Sequence, residues 1–236
     1  MAEQGELWDL QALAQARRLG DWVFEQFAWA VGPNVVEVGA GIGTYSARLL
    51  GAGVERLVLI EPETACADVL DGRFAVDSRV EVARDRLPEA EALLSRPGAF
   101  DFALCLNVLE HVDDDARALA VMTGALRPAG RIGVLVPAGP RLFGSLDQHY
   151  GHRRRYTRDS LRTLAESAGL RVTALYPFNA LGIPGWWFRT LTGGTALGRR
   201  SLAAYDRMLL LWRPLERRLR LPWGLSLVLH AERPTA

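Results

Sequence analysis

The sequence predicts an α/β chain in which short, mostly parallel strands alternate with amphipathic helices around one sheet. Short apolar runs recur at 35–38, 56–60, 80–83, 100–106 and 131–136. They are of strand length and rich in Val, Ile and Leu. Apolar residues at three- and four-residue steps, the spacing of helices, fill much of the remainder. The first run breaks into Gly39, Gly41 and Gly43, and a helical pattern follows from Thr44 to Leu50. Strand, glycine turn and helix in that order open a βαβ unit.

Composition removes several functions. The chain has 236 residues, 49% hydrophobic and 23% charged, with a net charge of +1, so nothing global argues for nucleic acid. All 28 basic residues are Arg, which leaves no lysine for Schiff-base or general-base work. Cys66 and Cys105 lie in apolar contexts without ligand spacing and read as buried thiols of a reducing compartment. The start of the chain lacks a basic and an apolar leader region. No apolar run reaches the roughly 18 residues of a membrane span. The expectation is a cytoplasmic protein of one domain.

In chain order, residues 6–31 carry Leu7, Leu10, Leu13, Leu19, Trp22, Val23 and Phe27 at helical spacing, with Gly20 expected to divide two helices. Gly32-Pro33-Asn34 closes them and starts the first strand. The turn that follows does not fit a dinucleotide site. G-x-G-x-x-G counted from Gly39 needs glycine where Thr44 stands, and counted from Gly41 where Ser46 stands. A carboxylate, Glu37, precedes the first glycine by two positions, which suits a cationic ligand better than a pyrophosphate. A bare glycine turn or a nicotinamide site are the alternatives. The string Glu37-x-Gly39-x-Gly41-x-Gly43 resembles motif I of class I S-adenosylmethionine (SAM) methyltransferases. That resemblance implies SAM as cofactor, gripped by Glu37, Gly39, Ala40, Gly41 and Gly43.

The second strand, 56–61, ends on Glu61, 18 positions beyond Gly43, a spacing that suits a carboxylate accepting from ribose hydroxyls. NAD shares that ribose, so this feature alone does not separate the two ligands. Pro62 starts the next helix. Val80 to Ala83 forms a third strand. By resemblance, Asp85 accepts from the adenine amino group, with Arg86 beside it.

The fourth strand, 100–106, runs into Asn107-Val108-Leu109-Glu110-His111, and Asp113 to Asp115 cap a helix of about 113–126. Asn-Val-Leu-Glu-His resembles the segment after the fourth strand of many small-molecule methyltransferases, including ubiquinone O-methyltransferases. It implies contacts of Asn107, Val108 and Leu109 with the cofactor. Ligands of open α/β sheets sit beyond the carboxyl ends of the strands, where this segment lies. Leu126 to Gly130 reads as a tight turn and Arg131 to Val136 as the fifth strand.

Residues 143–157 hold His149, His152, Asp147, Tyr150, Tyr156 and three consecutive arginines. The segment resembles the Asp-x-x-x-Gly-His-x-Arg-Arg-Tyr stretch of a bacterial methyltransferase subgroup. The functional reading closes it over the methyl acceptor. His111, His149 and His152 are then the candidates for moving a proton, and Tyr150, Arg153, Arg154 and Tyr156 hold the acceptor. The structural reading has Arg154 and Tyr156 pin the loop through Asp147 or Glu110. No metal is expected, since His149 and His152 lack a carboxylate at convincing spacing.

The organisation predicted is a helical cap at 1–33, a SAM-binding core at 34–176, a helical insertion at 177–223 and a last strand with tail at 224–236. The resemblance implies a Rossmann-like, seven-stranded sheet with its last strand antiparallel. The insertion holds four tryptophans, and from 177 onward nine arginines face three acids. Its stretch at 205–220 is amphipathic and basic. A membrane surface, a lid on the pocket and a homodimer face are the three readings. The reading of the whole chain is a methyltransferase acting on a hydrophobic or acidic small molecule. The alternatives are a lipid-linked or glycan acceptor at the membrane surface, or a nicotinamide oxidoreductase.

Overall fold

The structure is a computed structural model and describes residues 2–192, 199–219 and 221–235. Seven strands form one sheet: β1 (Asn34–Val38), β2 (Arg56–Ile60), β3 (Val80–Ala83), β4 (Phe100–Leu106), β5 (Leu126–Pro137), β6 (Arg171–Phe178) and β7 (Ser226–Glu232). Their spatial order is β3-β2-β1-β4-β5-β7-β6. β1 pairs in parallel with β2 on one side and β4 on the other, Val36 lying opposite both Val58 and Ala103. The order of strands reverses there, which leaves a crevice at their carboxyl ends. β7 runs antiparallel between β5 and β6, as the resemblance implies.

The helices are α1 (Ala2–Gln15), α2 (Arg17–Glu25), α3 (Ser46–Gly51), α4 (Thr64–Phe74), α5 (Glu91–Leu94), α6 (Asp115–Ala125), α7 (Ser145–His149), α8 (Arg158–Ser167), α9 (Gly182–Thr192) and α10 (Arg199–Leu219). Strand side chains alternate between two layers. Val36, Val58 and Ala103 face Leu93, Leu119 and Leu161. Val35, Leu57 and Phe102 face Trp22, Phe27, Leu49, Leu70 and Leu209. Covering on both faces explains why β1 carries Val35, Val36 and Val38 on its two sides and is buried from Val35 onward.

Two boundaries differ from the sequence reading. The first helices part at Ala16, and Gly20 is buried inside α2. A Cβ there would stand 2.6 Å from Arg48 Nη2, and Arg48 reaches Asp21 and the Thr44 carbonyl. Gly20 therefore serves close approach and does not end a helix. The expected turn at 126–130 belongs to β5, because the C-terminal tail pairs with it: Ala129 N–H donates to Arg233 O and Arg233 N–H to Gly130 O.

The insertion divides its duties. α10 is held on the N-terminal cap by buried Leu209. Asp206 there accepts from Leu19 N–H at 3.0 Å, and Glu25 accepts from Arg213 and Arg217. α9 lies against α7. Residues 193–198 and Arg220, part of the predicted insertion and basic stretch, lie outside the described residues.

Candidate active site

The glycine turn joins β1 to α3, and its three glycines have φ of +73°, +55° and +78°, a region that disfavours other residues. Gly39 is also sterically fixed, since a Cβ would stand 2.3 Å from Val108 Cγ2. The turn therefore rests on the segment that follows β4. Gly39 and Ala40 donate to the Ile60 carbonyl, and Arg73 donates to that of Ile42. Glu61, at the end of β2, is buried; its carboxylate accepts from Gly41 N–H at 2.7 Å and Glu63 N–H at 3.0 Å. Pro62 follows it and is half-buried.

Glu37 points beneath the turn and accepts from Ser46 Oγ at 2.5 Å. Burial pushes its carboxyl up to about 8, the Ser46 bond opposing and the Glu61 charge assisting. Its folded pKa is thus raised above the unfolded carboxylate range near 4.3. Between those values the folded state holds the extra proton, so stability falls as pH rises from about 5 to 8 and levels off above. With no donor present, Glu37→Gln should flatten that decline by as much as a few kcal/mol. Denaturant unfolding at pH 5 and pH 7.5 checks this, and equal slopes for both proteins contradict it.

Asp85 accepts from Ala92 N–H at 2.7 Å and so caps α5, while Arg86 pairs with Glu63 at 2.8 Å. Asn107 is exposed with φ of +53°, a strained conformation of the kind that gathers at functional sites. Its N–H is anchored on the Leu135 carbonyl. Val108 and buried Leu109 continue into a 3-10 turn at Leu109–His111.

Beyond the carboxyl ends of β4 and β5 lies a buried polar cluster. Asp147 is fully buried and accepts from Gly144 N–H at 3.0 Å, His152 Nδ1 at 2.8 Å and Arg155 Nε at 2.8 Å. Burial alone would raise its carboxyl; the His152 and Arg155 bonds outweigh that and hold it below the usual range. The same bond places the Nδ1 hydrogen on His152 and leaves Nε2 as the ring's acceptor nitrogen. Arg155 donates onward to the Ala138 carbonyl and lies 4.5 Å from the Trp186 ring of α9. A Cβ on Gly144 would strike Thr190 of α9, so glycine permits this close packing. The His111 and His152 rings are 4.8 Å apart, edge to face. Burial, then proximity to His152, pushes His111 down to about 4. Glu110 is fully buried, and neither carboxylate oxygen has a hydrogen-bond partner among the described residues. Burial pushes it up to about 8, partly offset by Arg155. Glu110, His111 and His152 together are a ligand set that could hold a metal ion.

The predicted site residues thus separate by position. His111 and His152 come together; His149 lies on the exposed end of α7, its ring 5.3 Å from that of Tyr150. Tyr150 stands between His152 and Trp186. Arg153 donates to the His111 carbonyl and pairs with Asp113; Arg154 and Tyr156 both reach Asp115. These three latch the segment to the start of α6, through different acids from those the structural reading named. Sequence reasoning missed Ser46, the burial of Arg155 within the arginine triplet, and Trp186. Nothing local distinguishes Arg155 from its neighbours, and Trp186 arrives from the insertion.

A methyltransferase-domain family profile matches residues 11–175. The chain is 35% identical over 117 residues to a ubiquinone biosynthesis O-methyltransferase of Ralstonia nicotianae, covering 48% of this chain and 46% of that protein. A Burkholderia thailandensis protein of the same name is 33% identical over 113 residues, covering 47% and 46%. The chain spans about half the length of the curated relatives it matches. A SAM-dependent methyltransferase from Mesorhizobium loti superposes with a TM-score of 0.63 at 15% identity, over 86% of this chain and 93% of that one. One from Archaeoglobus fulgidus gives 0.61 at 15% identity, over 92% and 94%. At such identities the likeness is one of fold.

Proposed function

This chain belongs to the methyltransferase-domain family, and from that premise we propose that it moves the methyl group of SAM to a nucleophile on a small-molecule acceptor. The glycine turn, Glu61 and Asn107 to Leu109 are the donor side, with Asp85 and Arg86 at the adenine end. The cluster of His111 and His152 with Tyr150 is the acceptor side. The contact of Gly39 with Val108 carries this reading, because it sets the donor turn directly against the segment that ends in Glu110 and His111. The transfer is an in-line displacement: the acceptor atom bonds to the methyl carbon as the carbon–sulfur bond breaks and its electron pair stays on sulfur. Alignment and exclusion of water are the main contributions such a site makes. The names of the relatives favour an oxygen nucleophile on a hydrophobic acceptor.

A second reading, an acceptor presented at a membrane surface, draws on exposed Trp187, Phe188, Leu210, Leu211 and Trp223. No described helix is long and apolar enough to cross a membrane. Arg213 and Arg217 are committed to Glu25, so apolar contact would carry such binding. Titration calorimetry with SAM and with NAD tests the first reading: micromolar-range binding of SAM alone supports it, and preference for NAD ends it. Flotation with anionic vesicles that is lost in Leu211→Asp supports the second; absence of flotation removes it.

A further inference from the structure

We propose that Glu110, His111 and His152 form a binding site for one divalent transition-metal ion of the zinc type. The ligand atoms of the three lie within 4.8 Å of one another. Zinc bonds to nitrogen and oxygen run about 2.0–2.2 Å in a tetrahedral set, which puts ligand atoms about 3.4 Å apart, so side-chain rotations that bring the three inward close the set. Two imidazoles and one carboxylate suit zinc, cobalt or iron, and favour magnesium or calcium less.

Two independent features support an ion. Both carboxylate oxygens of Glu110 are buried without a hydrogen-bond partner among the described residues, an unfavourable arrangement for a charged group that a cation would relieve. His152 presents Nε2 because Asp147 takes Nδ1 at 2.8 Å; a carboxylate behind the far nitrogen is the usual support of a metal-bound histidine. The formal charges of Glu110, Asp147 and Arg155 sum to −1, so a divalent ion leaves +1, matched to one anionic oxygen of an acceptor. The sequence reading expected no metal because it sought a carboxylate beside His149 and His152. The fold supplies one from about 40 positions away.

The role assigned to the ion rests on the methyltransferase reading; its binding does not. A hydroxyl coordinated to the ion loses its proton to solvent more readily. The resulting oxygen then forms its bond to the methyl carbon while the carbon–sulfur pair passes to sulfur.

The test is equilibrium dialysis of untagged full-length chain against Zn²⁺ and Co²⁺, without SAM, with cobalt followed by its visible absorption. One ion per chain is expected, with binding weakened more than 10-fold in His111→Ala, His152→Ala and Glu110→Gln. Asp147→Asn, which leaves all three ligands in place, should weaken it about 10–100-fold. Circular dichroism and SAM titration on each variant separate loss of the site from loss of the fold. Folded histidine variants that bind as tightly as the parent overturn the site, as does a parent that takes up no ion. Methyl transfer undiminished in metal-free protein overturns the ion's part in the reaction. Stoichiometric binding without transfer from SAM keeps the site and rejects the methyltransferase reading.

Discussion

Glu61→Ala should lower the affinity for SAM by about 10–100-fold, the equivalent of the 1.5–3 kcal/mol that hydrogen bonds to a charged group contribute. Glu61 stands at the end of β2, beside the strand reversal that creates the crevice. Its oxygens already accept from Gly41 and Glu63 N–H. Each carboxylate oxygen has capacity for more than one bond, so it can hold the turn and a ribose together. Removing it acts twice, by loosening the glycine turn and by deleting the ribose partner. Glu61→Gln separates the two, since an amide oxygen can still accept from Gly41 without the charge. The glutamine variant should regain the fold's thermal stability but not all of the affinity. Calorimetric titration with SAM decides it, and an alanine variant within twofold of the parent rejects the ribose assignment.

The half of the site proposed for the methyl donor was legible as a local arrangement because its contacts are short in sequence. A strand, three glycines and an acid at the next strand end obey spacing rules that the backbone enforces, and the structure places Gly39, Gly41 and Glu61 within one turn's contact. The antiparallel β7 was expected from resemblance alone; no periodicity in Ser226 to Glu232 gives its direction. The half proposed for the acceptor was less legible because its contacts span the chain. Asp147 selects Arg155 and not Arg154, and Glu110 meets His152, through packing that a sequence pattern does not encode. Gly20 shows the converse error. A glycine in a helical pattern reads as a break, yet here it makes room for Arg48, which comes from α3.

Asp147→Ala should be the most destabilising single change in the cluster. It leaves the Arg155 guanidinium, whose side chain is 1% exposed, without its ionic partner in a site that water does not reach. Removing one member of a buried ion pair costs about 3–5 kcal/mol, which for a chain of this size lowers the melting temperature by on the order of 10 °C. A purely electrostatic origin has a distinctive signature in a double variant. Asp147→Ala with Arg155→Met removes both charges and refills the volume against Trp186. It should recover much of the loss, because well-packed apolar replacements of buried pairs are often neutral. If the cost came from the bond to Gly144 N–H or from lost packing at α7, the double variant would be no better than Asp147→Ala alone. A loss below about 1 kcal/mol in Asp147→Ala would place the pair in solvent, within the range of exposed ion pairs. The anchor of His152 would then have to be sought elsewhere.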